Sequence, residues 1–368
     1  MNEHRAPEVA RVCHVIHELG PGGAEKLLVD AARLAPDVGI ELSVISLMPF
    51  GDHPYPRVLA ELGVPVHSLD LSSRWDLRGR RRLRSIVQDI GPDVLHTHLK
   101  HADLLGAHAV RGLDIAHVST LHVIEDAVGP AARMKRDAGA RVRERSALCT
   151  IAVSEAVRRW YLETFPFVAA ERVVVVRNGV PAPEPISEER RVALRAEFGV
   201  GDDGLLVPMV ALMRPGKGHE DLIAAAGLIA SEVPVTFVLA GSGSEEARLR
   251  ETVDAAALAD RVRFAGFRSD IPDLLAAADF VVHPTHADAL PTALVQAAAA
   301  GIPSIGTKVG GVPEVVDAET GIMVPVADPP ALAAATVELA SDPDRRRWLG
   351  KRARERFDEQ YEGGVWIR

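Results

Sequence analysis

Short apolar runs rich in β-branched residues alternate along the chain with longer stretches whose apolar residues recur at helical spacing. Val9–Ile16, Ile40–Leu47, Val64–Leu69, Val94–Thr97, His117–Leu121, Thr150–Val153 and Val173–Val176 read as strands, with helical patterns such as Ala24–Leu34 and Leu77–Ile90 between them. This alternation predicts an α/β fold built on a doubly wound parallel sheet with helices on both faces. The rhythm restarts with Leu205–Leu212, Val235–Ala240, Val262–Ala265, Phe280–His283 and Ser304–Gly306, so a second Rossmann-like domain is expected. The stretch Asn178–Ile186 carries three prolines, which cannot donate to a ladder and disfavour helix before them. It reads as a linker, with the boundary near Pro183. The expected organisation is 1–182, 183–345 and a C-terminal helical segment 346–368 packing back toward the first domain. Open α/β sheets bind ligands beyond the carboxyl ends of their strands. Two such domains facing each other predict a ligand cleft between them.

Composition narrows the classes. A length of 368 residues suits about two domains. A formal net charge of -9 argues against nucleic-acid binding through bulk charge. Cys13 and Cys149 lie in apolar stretches, form no disulfide framework and read as buried, reduced thiols. Met1–Pro7 is polar, unlike a signal peptide, and no window approaches the ~20 apolar residues of a membrane span, which predicts a cytoplasmic protein. Arg74, Arg78, Arg80, Arg81, Arg82 and Arg84 form a basic stretch that reads either as a solvated helix face or as a contact for an acceptor or a membrane surface.

Four segments carry candidate chemistry. Gly20–Glu25 (Gly-Pro-Gly-Gly-Ala-Glu) follows the first strand and opens a helix, so Gly22 and Gly23 suit either a tight turn or an anion at the helix start. It is not a dinucleotide fingerprint, because Glu25 stands where the third glycine belongs. Arg214 and Lys217 follow the first strand of the second domain and suit a clamp on a diphosphate. In Thr285–Gln296, Pro291 fits the first helical position, which puts Asp288 in the loop before the helix and Gln296 in its second turn. Asp288 suits sugar hydroxyls or a local turn, and Gln296 suits ribose hydroxyls or a helix–sheet edge. Gly310–Glu314 reads as a further loop against a ligand or a turn into a short helix. No metal-ligand cluster is visible in the spacing.

Taken in order, these segments resemble the retaining glycosyltransferase family 4, of the GT-B fold. The likeness runs from His14–Leu19 with Gly22–Glu25, through Pro92–His98, Ser119–His122, Ala152–Ser154 and Arg177–Val180. It continues in the second domain with Arg214–His219, Leu239–Gly243, Phe264–Phe267, Asp288–Pro291, Ala300–Pro303 and Gly310–Glu314. The resemblance implies that Arg214 and Lys217 bind the donor diphosphate, approached by Gly22 and Gly23. It implies that Asp288 with the backbone of Ala289 and Leu290 holds the donor sugar, that Gln296 meets the ribose, and that His122 lies near the reacting carbon. It further implies a hexose-type sugar moved from a nucleotide-diphosphate donor to an acceptor hydroxyl, with no metal and no cofactor. The acceptor class stays open among glycans, lipid-linked sugars and small natural products.

Three departures from the family pattern stand out. Asp288 and Gln296 replace its two spaced glutamates, so one carboxylate is shorter and the other has become an amide with two donors. Leu212 occupies the usual arginine position five before the lysine, and Arg214 resembles a variant of that motif. The family's last helix crosses back onto the first domain, whereas this sequence stops at Arg368, soon after Phe357, so that helix is expected to be either short or cut off. Gln296 also keeps open a sugar-nucleotide-binding protein without turnover, and the fold keeps open a sugar-nucleotide epimerase.

Overall fold

A computed structural model describes residues 9–20, 22–71, 78–125 and 129–368. The chain divides into two compact units, the first comprising Met1–Asn178 with Trp366–Arg368 and the second Gly179–Val365. The division falls inside the proline-bearing stretch but ahead of Pro183. Its first residues are already tied to the second unit, where the Val180 amide donates to the Tyr361 carbonyl at 3.0 Å. For the same reason most of 346–368 does not stand apart: the helix Pro343–Gln360 belongs to the second unit.

The first unit is one seven-stranded parallel sheet of β1 (Ala10–Ile16), β2 (Ile40–Ser46), β3 (Val66–Ser68), β4 (Val94–His98), β5 (Ala116–Leu121), β6 (Cys149–Ala152) and β7 (Val173–Val175). Their spatial order is β3-β2-β1-β4-β5-β6-β7. Val15, Ile45, Leu83 and Leu95 form a dry core on one face, and Ile16, Leu28, Val44 and Leu59 form another on the opposite face. A parallel sheet covered on both faces explains why its strands read as nearly continuous apolar runs.

The second unit holds two three-stranded parallel ladders. One is β8 (Leu205–Val210), β9 (Val235–Ala240) and β10 (Val262–Gly266); the other is β11 (Val281–His283), β12 (Ser304–Thr307) and β13 (Gly321–Val324). They meet along β8 and β11, where the Asp279 amide donates to the Leu206 carbonyl at 2.9 Å and the Leu206 amide donates to Asp279 Oδ2 at 2.8 Å. The ladder stops there for a chemical reason. Alternate residues of a strand face the same neighbour, so Pro208 turns toward β11 the position where an N–H would donate, and has none. Strand β13 goes beyond the sequence expectation. Among the described residues no helix is long and apolar enough to cross a membrane. Cys13 is buried and Cys149 only half-buried, both as free thiols.

In both units the strand order reverses beside the first strand, between β1 and β4 and between β8 and β11. These are the switch points at which doubly wound sheets open a crevice beyond their strand ends.

Candidate functional site

At the second unit's switch point, the loop after β8 runs through Arg214 and Lys217 to the helix His219–Leu228, and the loop after β11 carries Asp288 to the helix Thr292–Ala299. The two loops interlock. The His286 amide donates to the Gly216 carbonyl at 2.8 Å. Gly218 has φ 80°, and a Cβ there would lie 1.9 Å from the Pro284 carbonyl oxygen, so only glycine fits. Behind Asp288, Gly310 has φ 52° and a Cβ would lie 1.9 Å from the Asp288 carbonyl oxygen. The Gly310–Glu314 loop therefore braces Asp288, a role its sequence left open.

This packing brings together two residues 71 positions apart. Lys217 Nζ donates to Asp288 Oδ2 at 2.6 Å, with the side chains only 14% and 15% exposed. His283 Nε2 lies 3.2 Å from the same oxygen. Burial pushes the Asp288 carboxyl up, but His283 and Lys217 outweigh it and hold Asp288 well below the usual carboxylate range. Buried beside them, His219 is lowered to about 4, chiefly by burial and then by its electrostatic interaction with His283 and Lys217. His283 and His219 were missed as site residues; a histidine ending a strand at the switch point was the available signal for His283.

At the first unit's switch point the groups are neutral. His14 pairs in register with His96 across β1 and β4, and His98 with Thr120 across β4 and β5. Side chains two apart on a strand share a face, so His14, His96, His98 and, just past β5, His122 gather on one side. His14 Nδ1 and His98 Nε2 are 2.8 Å apart, as are His98 Nδ1 and His122 Nε2. Burial, then mutual repulsion, lowers His96 and His98 well below the ordinary imidazole value. His14 and His122 fall to about 4, again chiefly through burial.

The sequence spacing revealed no metal-ligand cluster, yet nitrogens of His14, His96 and His98 lie within 4.8 Å of one another. Two imidazoles on one zinc at about 2.0–2.1 Å would hold their nitrogens about 3.3 Å apart. The 2.8 Å separations fit shared protons instead. A neutral imidazole carries one N–H, so the chain of three rings has two consistent proton patterns. Each fixes whether His122 Nδ1 donates or accepts.

The other predicted residues fall as follows. Gly22 and Gly23 sit at the start of the helix Gly23–Leu34, where the Glu25 carboxylate folds over Gly22. Arg214 is exposed and makes no ion pair among the described residues. Ala289 and Leu290 are buried beside Asp288. Gln296 is half-buried in the second helical turn, as expected, and its amide has no hydrogen-bond partner among the described residues. Pro291 caps this helix rather than opening it, because its ψ of 106° is extended. Of the basic stretch, Arg74 lies outside the described residues. Arg82 and Arg84 are committed to backbone carbonyls of Leu69, Ala109 and Arg111.

Residues 191–356 match the model of glycosyl transferases group 1, and residues 21–182 match that of glycosyltransferase family 4. The chain is 32% identical over 296 residues to the alpha-maltose-1-phosphate synthase of Mycolicibacterium smegmatis, covering 73% of this chain and 75% of that protein. The chain belongs to glycosyltransferase family 4. It is an enzyme of the glycosyltransferase class. Another family 4 relative, the N-acetyl-alpha-D-glucosaminyl L-malate synthase of Bacillus anthracis, is 26% identical over 347 residues, 92% of this chain and 90% of that protein. Its GT-B fold is shared with the Anabaena protein HepE, solved with UDP and glucose, at a TM-score of 0.84, 23% identity and 97% coverage of both chains.

Proposed function

We propose that this glycosyltransferase moves a hexose-type sugar, with retention of configuration, from a nucleotide-diphosphate donor to an acceptor hydroxyl. The observation that carries the reading is the Lys217–Asp288 pair at the second unit's switch point, a cation and a carboxylate held together in a largely buried place. A diphosphate offers Lys217 a stronger partner than one carboxylate oxygen, and Arg214, which makes no ion pair among the described residues, adds a second cation. Asp288 then accepts from the sugar hydroxyls, with the Ala289 and Leu290 amides beside it. The unpartnered Gln296 amide meets the ribose. Within the first unit, Gly22 and Gly23 are proposed as a backbone contact for phosphate at a helix start, in competition with the Glu25 carboxylate.

In the reaction, the bond from the sugar's anomeric carbon to the phosphate oxygen breaks and the acceptor oxygen bonds to that carbon on the same face. The acceptor's proton goes to the departing phosphate oxygen. Lys217 stabilises charge as it builds on that oxygen. His122, neutral at pH 7, hydrogen-bonds near the reacting carbon without repelling the positive charge that a glycosyl transition state develops. The step needs no metal and no cofactor, and it runs in the cytoplasm. Support comes from relatives whose names describe sugar-transferring synthases and from HepE, solved with UDP-glucose.

The experiment is a thermal-shift screen of nucleotide sugars, in which a ligand at ~100 times its Kd stabilises by about 2.7 kcal/mol. Turnover is then measured with and without acceptor mixtures. Acceptor-dependent release of nucleoside diphosphate is the expected result. Binding without turnover would make the chain a sugar-nucleotide-binding protein, and conversion without acceptor would make it an epimerase.

A further inference from the structure

Asp288 takes both of its donors on one oxygen. Lys217 Nζ and His283 Nε2 meet Oδ2 at 2.6 and 3.2 Å, and Oδ1 has no partner among the described residues. In the proposed reaction the lysine has a task and the histidine has none. The two are held differently, and that difference decides what remains when one of them is drawn away.

Lys217 comes from the other loop, on a flexible four-carbon stem. Its backbone is fixed between Gly216 and Gly218, both left-handed at φ 82° and 80°. The Gly216 carbonyl is held by the His286 amide at 2.8 Å. The ammonium can therefore swing by rotating its stem while the chain stays in place. His283 ends β11, pairs in register with Gly306 of β12 and is only 3% exposed. It stands five residues before Asp288 on the same loop, which Thr285 stiffens by donating to the Ala287 carbonyl at 2.9 Å. An imidazole with two side-chain torsions, packed in the core, stays with the carboxylate.

The surroundings also fix where this ring carries its proton. His283 Nδ1 is buried and has no hydrogen-bond partner. A lone proton there would be a buried donor without an acceptor, whereas a proton on Nε2 points at Asp288 Oδ2. No neighbouring group duplicates that contact. His219 Nε2 is buried without a partner, and His286 Nε2 is turned to Asp221 at 2.6 Å. Once Lys217 turns away, His283 is the donor left to Asp288 among the described residues. A largely buried carboxylate with no donor gives up its charge by taking a proton. One retained N–H opposes that.

We propose that His283 is a positioning residue, which keeps Asp288 ionised and in place after Lys217 has left it for a diphosphate. The departure of Lys217 rests on the donor reading above; the hold of His283 on Asp288 does not. Only hydrogen bonds are exchanged in this hand-over, and no proton changes owner. Asp288 then meets the sugar as a carboxylate with Oδ1 free to accept.

The first test needs no variant. Nitrogen-15 imidazole spectra of the full chain at pH 7.5 should show His283 protonated at Nε2, and a bare Nε2 overturns the proposal. The second follows the Asp288 carboxyl carbon from pH 7.5 to 4.5 in Lys217→Met, which stands for the chain after the lysine has left. Asp288 should stay ionised there. With His283→Leu added, it should take up a proton inside that window. With His283→Gln added instead, whose amide can donate in place of Nε2, it should stay ionised. The same titration in all three chains overturns the proposal. The third separates binding from turnover. His283→Leu alone should bind free nucleoside diphosphate within a few-fold of the wild type, yet turn over nucleotide sugar roughly 10- to 100-fold more slowly. His283→Gln should recover most of that rate. Unchanged turnover, or an equal loss of binding and turnover, removes His283 from the reaction. If the wild type binds no nucleoside diphosphate, the donor reading and the hand-over fall together, and the spectra alone decide whether His283 holds Asp288.

Discussion

The two units share a topology and place their chemistry at the same point of it, yet the groups they gather there are electrically opposite. Beside β1 and β4 the first unit collects imidazoles that burial keeps neutral. Beside β8 and β11 the second unit keeps a lysine and an aspartate charged in a pocket almost as dry. The difference lies in what each group can pair with. Among the described residues the histidines of this row bond to one another and to Thr120, so protonation of one repels the rest. Lys217 and Asp288 neutralise each other, so each stays ionised. A fold can therefore supply one position with uncharged hydrogen-bonding chemistry and the other with fixed charge for a charged ligand, by choosing partners and leaving the sheet unchanged.

The largest expected effect breaks the charged side. Asp288→Asn keeps the shape but strands the Lys217 ammonium, and the second unit should lose up to about 3–5 kcal/mol, as when one partner of a buried pair is removed. Urea unfolding measures it. Adding Lys217→Met to the same chain should recover part of the loss, and additive losses in the double variant would show that the pair is not coupled.

Acid should break the neutral side next. His14 and His122 have values of about 4 when folded against 6.5 when free. Between those values the unfolded chain binds more protons, so stability rises with pH across that window and is lost as pH falls from 6.5 to 4. The difference is on the order of 3 kcal/mol per imidazole. Asp288 behaves oppositely: its contribution is present above the unfolded value of about 3.9 and disappears only below it, so within this window acid reaches the second unit's site through His219, lowered to about 4 as well, and not through the carboxylate. Histidine proton resonances followed from pH 7.5 to 4.5 decide the matter. His14 and His122 titrating near 6.5 would show that the array is hydrated and not buried.

How much of this was readable in the chain depends on range. Twelve strands were legible because buried parallel strands are continuous apolar runs, whereas Gly321–Val324 is short, begins with glycine and holds only the three apolar residues Ile322, Met323 and Val324 before Pro325. The histidine array was half legible. His96 and His98 two apart on a strand had to share a face, but their meeting with His14 and His122 depends on register across three strands. The spacing of Arg214 to Lys217 and of Asp288 to Gln296 placed these residues on the loops after β8 and β11 and on the helix that follows, where the structure has them. It gave Lys217 and Asp288 separate tasks, because nothing local joins residues on loops that meet only where the strand order reverses. Glycine at 218 and 310 was the trace of that meeting, since both positions are glycine for want of room beside another loop's carbonyl.

A smaller effect sharpens the contrast at its edge. If Gln296 offers its free amide to the ribose, Gln296→Ala should weaken nucleoside diphosphate binding by about 1–3 kcal/mol, the cost of leaving polar partners unpaired. Gln296→Glu should retain binding. Calorimetry reads both, and an alanine variant that binds as tightly as the wild type would make Gln296 structural.

The most direct test of the account is the steady-state release of nucleoside diphosphate by Lys217→Ala with donor saturating. If the cation beside Asp288 stabilises the leaving diphosphate, turnover should fall by roughly 10²-fold or more, by analogy with the loss of one preorganised donor. A variant that turns over within a few-fold of the wild type would contradict the placement of the diphosphate at the second unit's switch point.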